Sequence, residues 1–207
     1  MSPRRLILLV AACLLSVAAT TALPQAPTLA AYLDRPYAFT LPAAIPLERA
    51  VADAISLNQA NGGATYSLYF GDQAHQPLFA VSIFPDLSQR APGKELPAGA
   101  LRAFVKAHRQ LLSDPRCNIG TWYDADHKET WLDVSVTLPG RTQAVCLGKR
   151  YNQEDVFDLR RMETIEVGGT GAPPRYMLPV EQRLPQLRTA PAPRRRSGLW
   201  PQKLAPA

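Results

Sequence analysis

Residues 122–139, WYDADHKETWLDVSVTLP, carry the clearest pattern in this 207-residue chain. Between residues 130 and 138 apolar and polar side chains alternate, which is the two-residue period of a strand with one buried face. A polar segment, residues 124–129, precedes this strand, and another strand-like stretch covers residues 118–123. The pattern predicts two antiparallel strands joined by a polar turn.

A similar phrase occurs earlier, in residues 69–85, YFGDQAHQPLFAVSIFP. Both phrases contain an aromatic pair, an Asp, a His three residues later, a Val-Ser pair and a final Pro. A helical stripe with apolar residues at three- and four-residue spacing precedes each phrase, near residues 47–55 and 101–112. The nearly constant separation of 52 or 53 positions predicts an internal duplication of a helix–strand–strand unit.

One helix on one hairpin buries too little apolar surface to be stable alone, so we expect the two units to share a core. The sequence therefore predicts an α+β fold of two layers. Its antiparallel sheet would hold four to five strands from two helix–strand–strand units, with the helices packed on one face. The core would consist of Val51, Ile55, Leu68, Phe104, Val105, Val134 and Val136.

The predicted domain organisation has four parts: a signal peptide at 1–22, an extended segment at 23–45, an α+β domain at 46–170, and a tail at 171–207. Within the domain the two units cover 46–85 and 97–148, and a capping-box pattern predicts a short helix at 152–162. We expect strands at 37–41, 141–148 and 164–167. The tail holds eight of the 20 prolines and should be disordered or extended.

The N-terminus predicts export. Arg4 and Arg5 precede a mostly apolar run of residues 6–19, and small residues follow up to Ala22, where we expect cleavage. This places the mature protein in the periplasm or outside the cell. Two alternatives stay open, an uncleaved membrane anchor and lipidation at Cys13.

The net charge of +6 belongs to the tail. Residues 173–207 hold seven basic residues and one acidic one, and residues 1–172 hold 16 of each. The body has no excess of basic residues, so we expect no binding of nucleic acid. The cluster of Arg194, Arg195 and Arg196, with Trp200 nearby, is suited to an anionic membrane surface or an acidic partner, and it could equally be a solubilising end without a partner.

Signal removal leaves two cysteines, Cys117 and Cys146, and an oxidising compartment favours a disulfide between them. In a simple meander their strands would lie about 10 Å apart, too far for a bridge. The bridge therefore requires either that Cys117 fold over from its loop or that the strand order differ.

The two polar turns contain the strongest candidates for chemistry. If they met across a pseudo-twofold axis, they would offer two imidazoles and several carboxylates to a zinc ion or an acid–base pair. Asp and His are also ordinary turn residues, and Asp caps turns through its own backbone. The residues concerned are Asp72, His75, Asp124, Asp126 and His127.

Three further residues have specific expectations. His108 lies on an apolar helical stripe, which is typical of a partly buried core histidine. Trp122 and Trp131 flank the second turn, where they could pack across the hairpin or form a platform for a sugar or a peptide.

The sequence holds no GxSxG, HExxH or phosphate-binding glycine loop, and we expect no cofactor. It favours a non-enzymatic exported protein that binds another exported or envelope protein, for instance as an adaptor or an inhibitor of the immunity type. The alternative is a metal-dependent or acid–base enzyme that uses the Asp and His residues of the two turns.

Overall fold

The computed structural model describes residues 28–34 and 40–187, which form one antiparallel sheet with helices. The α+β class and the antiparallel sheet are confirmed, but the sheet has eight strands instead of four or five. The strands are β1 Gly63–Ser67, β2 Gly71–Asp72, β3 Phe79–Ser82, β4 Gln89–Pro92, β5 Cys117–Asp124, β6 Glu129–Leu138, β7 Asp155–Asp158 and β8 Glu163–Glu166. The helices are α1 Leu29–Asp34, α2 Leu47–Asn61, α3 Ala98–Ala107, α4 Arg109–Leu112, α5 Arg141–Arg150 and α6 Val180–Gln186, with a 3-10 turn at Pro85–Leu87.

The central hairpin is β5–β6, as the alternating pattern predicts. Eight residues of each strand pair in continuous register, from Cys117 opposite Val136 to Asp124 opposite Glu129. In the turn Asp124 accepts the backbone N–H groups of Asp126 and His127, and Lys128 takes a positive φ of 54°. The Asp caps the turn through its side chain.

The two units do not form neighbouring hairpins. The strand order is β2-β1-β5-β6-β3-β7-β8, with β4 also paired to β6, so the β5–β6 hairpin lies between β1 and β3. Instead of pairing with each other, β1 pairs with β5 and β3 pairs with β6. The strands of the first unit therefore lie on either side of the β5–β6 hairpin, while residues 64–84 and 118–138 still contribute to one sheet.

The main core lies between the sheet and the helices α2, α3 and α5. Helix α2 begins after Pro46 and ends at Asn61, where Gly62 adopts the left-handed conformation. Of the predicted core residues, Val51, Phe104, Val105, Val134 and Val136 are buried, and Ile55 and Leu68 pack against them. His108 is half-buried with its ring edge against Phe104, and this burial lowers its pKa, as expected for a core histidine.

Helices cover both faces of the sheet, which corrects the prediction of two layers. Along β3, Val81 belongs to the main core, whereas Ala80 packs with Leu29 of α1 in a second cluster. Because successive strand residues point to opposite faces, α1 lies on the face opposite α2. We call that face the polar face, since β5 and β6 contribute Asn118, Gly120, Trp122, Trp131, Asp133, Ser135 and Thr137 to it.

The region after β6 differs from prediction. Residues 141–148 belong to helix α5 instead of a strand, because Ala144, Gly148 and Tyr151 are buried at helical spacing. Residues 152–162 form most of the β7–β8 hairpin instead of a helix, while the brief strand expected at 164–167 corresponds to β8. Asp158 accepts the N–H groups of Arg160 and Arg161 and so caps this turn as Asp124 caps its own.

Part of the predicted tail is folded. Helix α6 lies within it, and the Arg183 side chain, only 3% exposed, donates to the Asp86 carboxylate and to the carbonyl groups of Ile83 and Leu178. The expectation of a disordered or extended tail is therefore wrong for residues 180–186, which form a helix. The arginine cluster at 194–196, the signal segment at 1–22 and most of the strand expected at 37–41 lie outside the described residues.

Candidate functional site

The two Asp/His turns lie at opposite ends of their strands. Asp72 is opposite Tyr66, which is opposite Ile119 of β5, whereas Asp124 comes five residues later on β5. At about 3.3 Å per residue, the two aspartates are roughly 17 Å apart along the sheet. The structure therefore places the turns apart and does not bring their imidazoles into a shared site.

Hydrogen bonds that involve backbone groups hold each turn in place. Asp72 accepts the N–H of Ala74, and His75, with a φ of 64°, donates its N–H to the Leu159 carbonyl. The exposed His127 ring pairs with Asp124 at 2.7 Å, which raises the pKa of His127 and contributes to lowering that of Asp124. Across 28–34 and 40–187, no cluster of three or more His, Cys, Asp or Glu side chains is arranged to hold a metal ion.

The two predicted disulfide partners are free thiols in the structure. Cys117 is buried at the start of β5, where burial raises the pKa of its thiol to about 12, and Cys146 is exposed on α5. The bridge is expected because an oxidising compartment favours it, but in the structure helix α5 carries Cys146 on an exposed side while Cys117 is buried. The raised pKa of Cys117 is the opposite of what a reactive thiol requires.

The tryptophans occupy the open end of the polar face. Trp122 and Trp131 are directly opposite each other on β5 and β6, and this row continues to Gly63 on β1 and Arg90 on β4. Trp122 is 49% exposed, an unusual state for so large an apolar side chain. We call Trp122, Trp131 and Arg90 the Trp platform.

The two indoles do not stack on each other. The Arg90 guanidinium lies 4.0 Å from the centre of the Trp131 ring, while its Nη1 is 3.0 Å from Glu129. Trp122 instead leans over Gly63, where a β-carbon would be 3.4 Å from the indole. The two tryptophans are thus opposite each other in the register, but Trp131 packs with Arg90 of β4 and Trp122 with Gly63 of β1.

Asp133 lies one row further into the polar face. It is opposite Gly120, and its carboxylate occupies the space that a β-carbon on that glycine would need. Its Oδ1 atom is buried and has no hydrogen-bond partner in the part of the chain described, while the residue as a whole is half-buried. Burial raises the pKa of Asp133 to about 6.

The next row is buried and polar. Ser82, Ser135 and Asn118 align across β3, β6 and β5, and we call them the buried polar row. The Oγ atoms of both serines and Oδ1 of Asn118 are buried without a partner among the described residues. Asn118 donates through Nδ2 to the Arg116 carbonyl and to Thr137. In the sequence these residues look like a solvent face, so neither their burial nor the role of Asp133 was predicted.

A separate open cleft of about 750 Å³ lies between residues 42–46 and helix α2. On its lining the Tyr66 hydroxyl donates to Asp53 at 2.8 Å, and burial, reinforced by Asp53, raises the pKa of that tyrosine. Arg49 lies 3.5 Å from Asp53 on the exposed side of the helix. The cleft brings Tyr66 and Asp72 together, but the described residues that line it include neither a histidine nor a cysteine.

Within the described ranges, no helix is long and apolar enough to cross a membrane. Comparison of the chain with protein-family models, with curated proteins and with solved structures finds no match. The Trp platform and the adjoining Asp133 are therefore identified as the candidate functional site by their geometry alone.

Proposed function

We propose that this chain is a non-enzymatic binding protein of the exported type, and that it binds another exported or envelope protein through the Trp platform. The observation that carries the proposal is the exposure of Trp122 beside Trp131 and Arg90 on a sheet face. Trp and Arg are among the residues that contribute most to protein–protein binding energy.

The support is geometric. The platform lies on paired strands of one continuous sheet, so its side chains are held on a rigid surface. A rigid aromatic surface loses little conformational entropy when a partner covers it. Its location on the open end of the polar face leaves room for a partner to approach.

The alternative of a metal-dependent or acid–base enzyme has less support. It requires the turns of His75 and His127 to act together, and the sheet register separates them. We therefore favour binding, with an adaptor or inhibitor as the role. Export, which the N-terminal sequence predicts, would place partner and protein in the same compartment.

Site-specific photo-cross-linking tests this function. A benzoylphenylalanine at position 122 should form one dominant adduct with a partner protein in the cells that produce the chain. The same group at Thr164, an exposed position on the edge strand β8, is the matched control. Trp131→Ala should reduce the yield at position 122 about tenfold, as expected for a residue contributing over 1 kcal/mol.

Equal cross-linking at positions 122 and 164, or a yield at 122 that Trp131→Ala leaves unchanged, would contradict the proposal.

A further inference from the structure

We infer that the partner inserts a basic side chain, Lys or Arg, between the two indoles, where it meets the Asp133 carboxylate. This inference rests on the proposed function and specifies the partner's chemistry. It commits to a basic segment of a partner protein as the occupant of the Trp platform.

The positions of the three side chains define the site. Asp133 follows Trp131 by two residues on the same face of β6, which corresponds to about 7 Å between their Cα atoms. Trp122 is the diagonal neighbour of Asp133 across the hairpin, because Gly120 is opposite Asp133. A group that enters between the indoles therefore meets this carboxylate next.

Asp133 has one oxygen available to a ligand. Among the described residues neither carboxylate oxygen has a hydrogen-bond partner; Oδ1 is buried, whereas Oδ2 is not fully buried and is the oxygen that a ligand can reach. Gly120 creates the space in which the carboxylate lies. A buried carboxylate without a partner is costly, and a bound cation would offset that cost.

The surrounding charge also favours a cation. The hairpin of β5 and β6 carries Asp124, Asp126, Glu129 and Asp133 against one lysine, Lys128, a net charge of −3 with His127 neutral. The indole faces add attraction to a cation within about 6 Å. The Arg90 guanidinium already stacks on the Trp131 ring from the β4 side, so this indole accepts a cation.

Few other charged groups bear on Asp133 from the neighbouring elements. Arg90 on β4 is paired with Glu129, and Asp86 beside the 3-10 turn is bound by Arg183. The residues beside Asp133 on β5 and β1, Gly120 and Thr65, are uncharged. Among the described charged side chains of strands β4, β5 and β6 on this face, the carboxylate of Asp133 is therefore the one without a partner.

The test uses the full chain with Trp200→Phe, so that the remaining indoles, Trp122 and Trp131, report binding by fluorescence. The probe is an end-blocked hexapeptide of arginine, and an uncharged Gly-Ser hexapeptide is its control. We expect saturable quenching by the basic peptide alone. Asp133→Asn should weaken the affinity about tenfold, whereas Asp126→Asn, at an exposed carboxylate of the same hairpin, should change it less than twofold.

The pH profile adds a second readout. Because only ionised Asp133 attracts a cation, affinity should rise as pH increases from 5 to 7, and Asp133→Asn should remove this rise. The protein with Asp133 and the Asp133→Asn variant should both also carry His127→Gln, because the pKa of the nearby His127 is raised and its titration would add to the profile. A profile that survives Asp133→Asn would overturn the inference.

Other occupants are separate outcomes. Quenching by cellohexaose in place of the basic peptide would assign the platform to carbohydrate and overturn the inference. Binding that occurs only after Arg194, Arg195 and Arg196 are replaced by Ser would assign it to the chain's own tail, with the same consequence. A partner cross-linked at position 122 without any effect of the basic peptide would leave the proposed function standing and refute this inference alone.

Discussion

At the scale of single residues, Asp133 is where stability and binding oppose each other. The pKa of Asp133 is about 6 in the folded state, above the ordinary value of 3.8. Between pH 3.8 and pH 6 the folded state therefore holds a proton on Asp133 that the unfolded state has already lost. Stability from this group is therefore complete below pH 4 and is lost as pH rises through 6. A protein selected only for stability would carry a neutral residue here.

Asp133→Asn should accordingly raise the free energy of unfolding at pH 7.5 by about 1–3 kcal/mol, since the difference between pKa values of 3.8 and about 6 corresponds to at most about 3 kcal/mol. The gain should disappear near pH 4, where the aspartate is itself neutral. Urea denaturation at both pH values measures the difference. A variant that gains nothing at pH 7.5 would show that Asp133 is solvated.

The sequence predicts residue roles well where one local rule decides them. The turn function of Asp124, the pairing of the tryptophans and the burial of His108 follow from spacing and residue type. The buried polar row could not be predicted in this way, because Ser82 and Ser135 meet only through the pairing of β3 with β6. Alternating polar residues predict a solvent face unless another element covers them.

At the scale of elements, α5 shows how a short apolar segment is misread. Residues 141–148 read as a strand, yet Ala144 and Gly148 bury one helical face. A β-carbon at Gly148 would lie 2.6 Å from Val156 and 3.2 Å from Val167, so the helix approaches β7 too closely for any side chain there. Neither the propensity of the segment nor its pattern reveals that approach.

Gly148→Ala should therefore destabilise the protein by about 1–3 kcal/mol through overpacking, although alanine favours helices. The matched control is Gly99→Ala in α3, where a β-carbon would meet nothing within 4 Å. There alanine should be neutral or stabilise by up to about 1 kcal/mol. Thermal unfolding of both variants measures the contrast, and similar shifts in the two would refute the close packing of α5.

An ion pair between Arg183 and Asp86 joins helix α6 to the 3-10 turn. The pKa of Asp86 is lowered by its bonds to Arg183, so the pair contributes stability at neutral pH that is lost as pH falls through the folded-state pKa. Arg183→Met should cost about 2–4 kcal/mol, because it leaves a partly buried carboxylate unpaired.

Limited trypsin digestion measures the release of α6 as faster cleavage after Arg175. Asp86→Asn with Arg183→Met is the control that removes the stranded charge. If single and double variants are cleaved as slowly as the wild type, the ion pair does not hold α6.

At the scale of the whole molecule, the repeated sequence pattern correctly predicts that strands form, but it does not predict which strands pair with each other. Both copies form strands in one sheet, yet the first copy is divided, with β1 against β5 and β3 against β6. Strand order is a non-local property, because each copy taken alone is equally compatible with a hairpin. The sequence contains no signal that distinguishes pairing within a unit from pairing between units.

This topology makes the two halves dependent on each other, which a fragment experiment can measure. Within residues 40–96, β1 pairs only with the two-residue β2, while the partners of β3 and β4 all lie in residues 97–187. Isolated hairpins are at best marginally stable in water. We therefore expect fragment 40–96 alone to show no strand signal by circular dichroism and no cooperative unfolding.

Mixing fragments 40–96 and 97–187 at equal concentration should restore the strand signal and a cooperative transition, because β1 and β3 then dock on either side of the β5–β6 hairpin. A mixture of 40–96 with a 97–187 fragment carrying Val136→Asp is the matched control. Val136 is opposite both Val81 and Cys117 in the register, so a buried carboxylate there should prevent docking. Cooperative unfolding of fragment 40–96 alone would mean that the first unit forms its own hairpin, and the interleaved sheet would then be wrong.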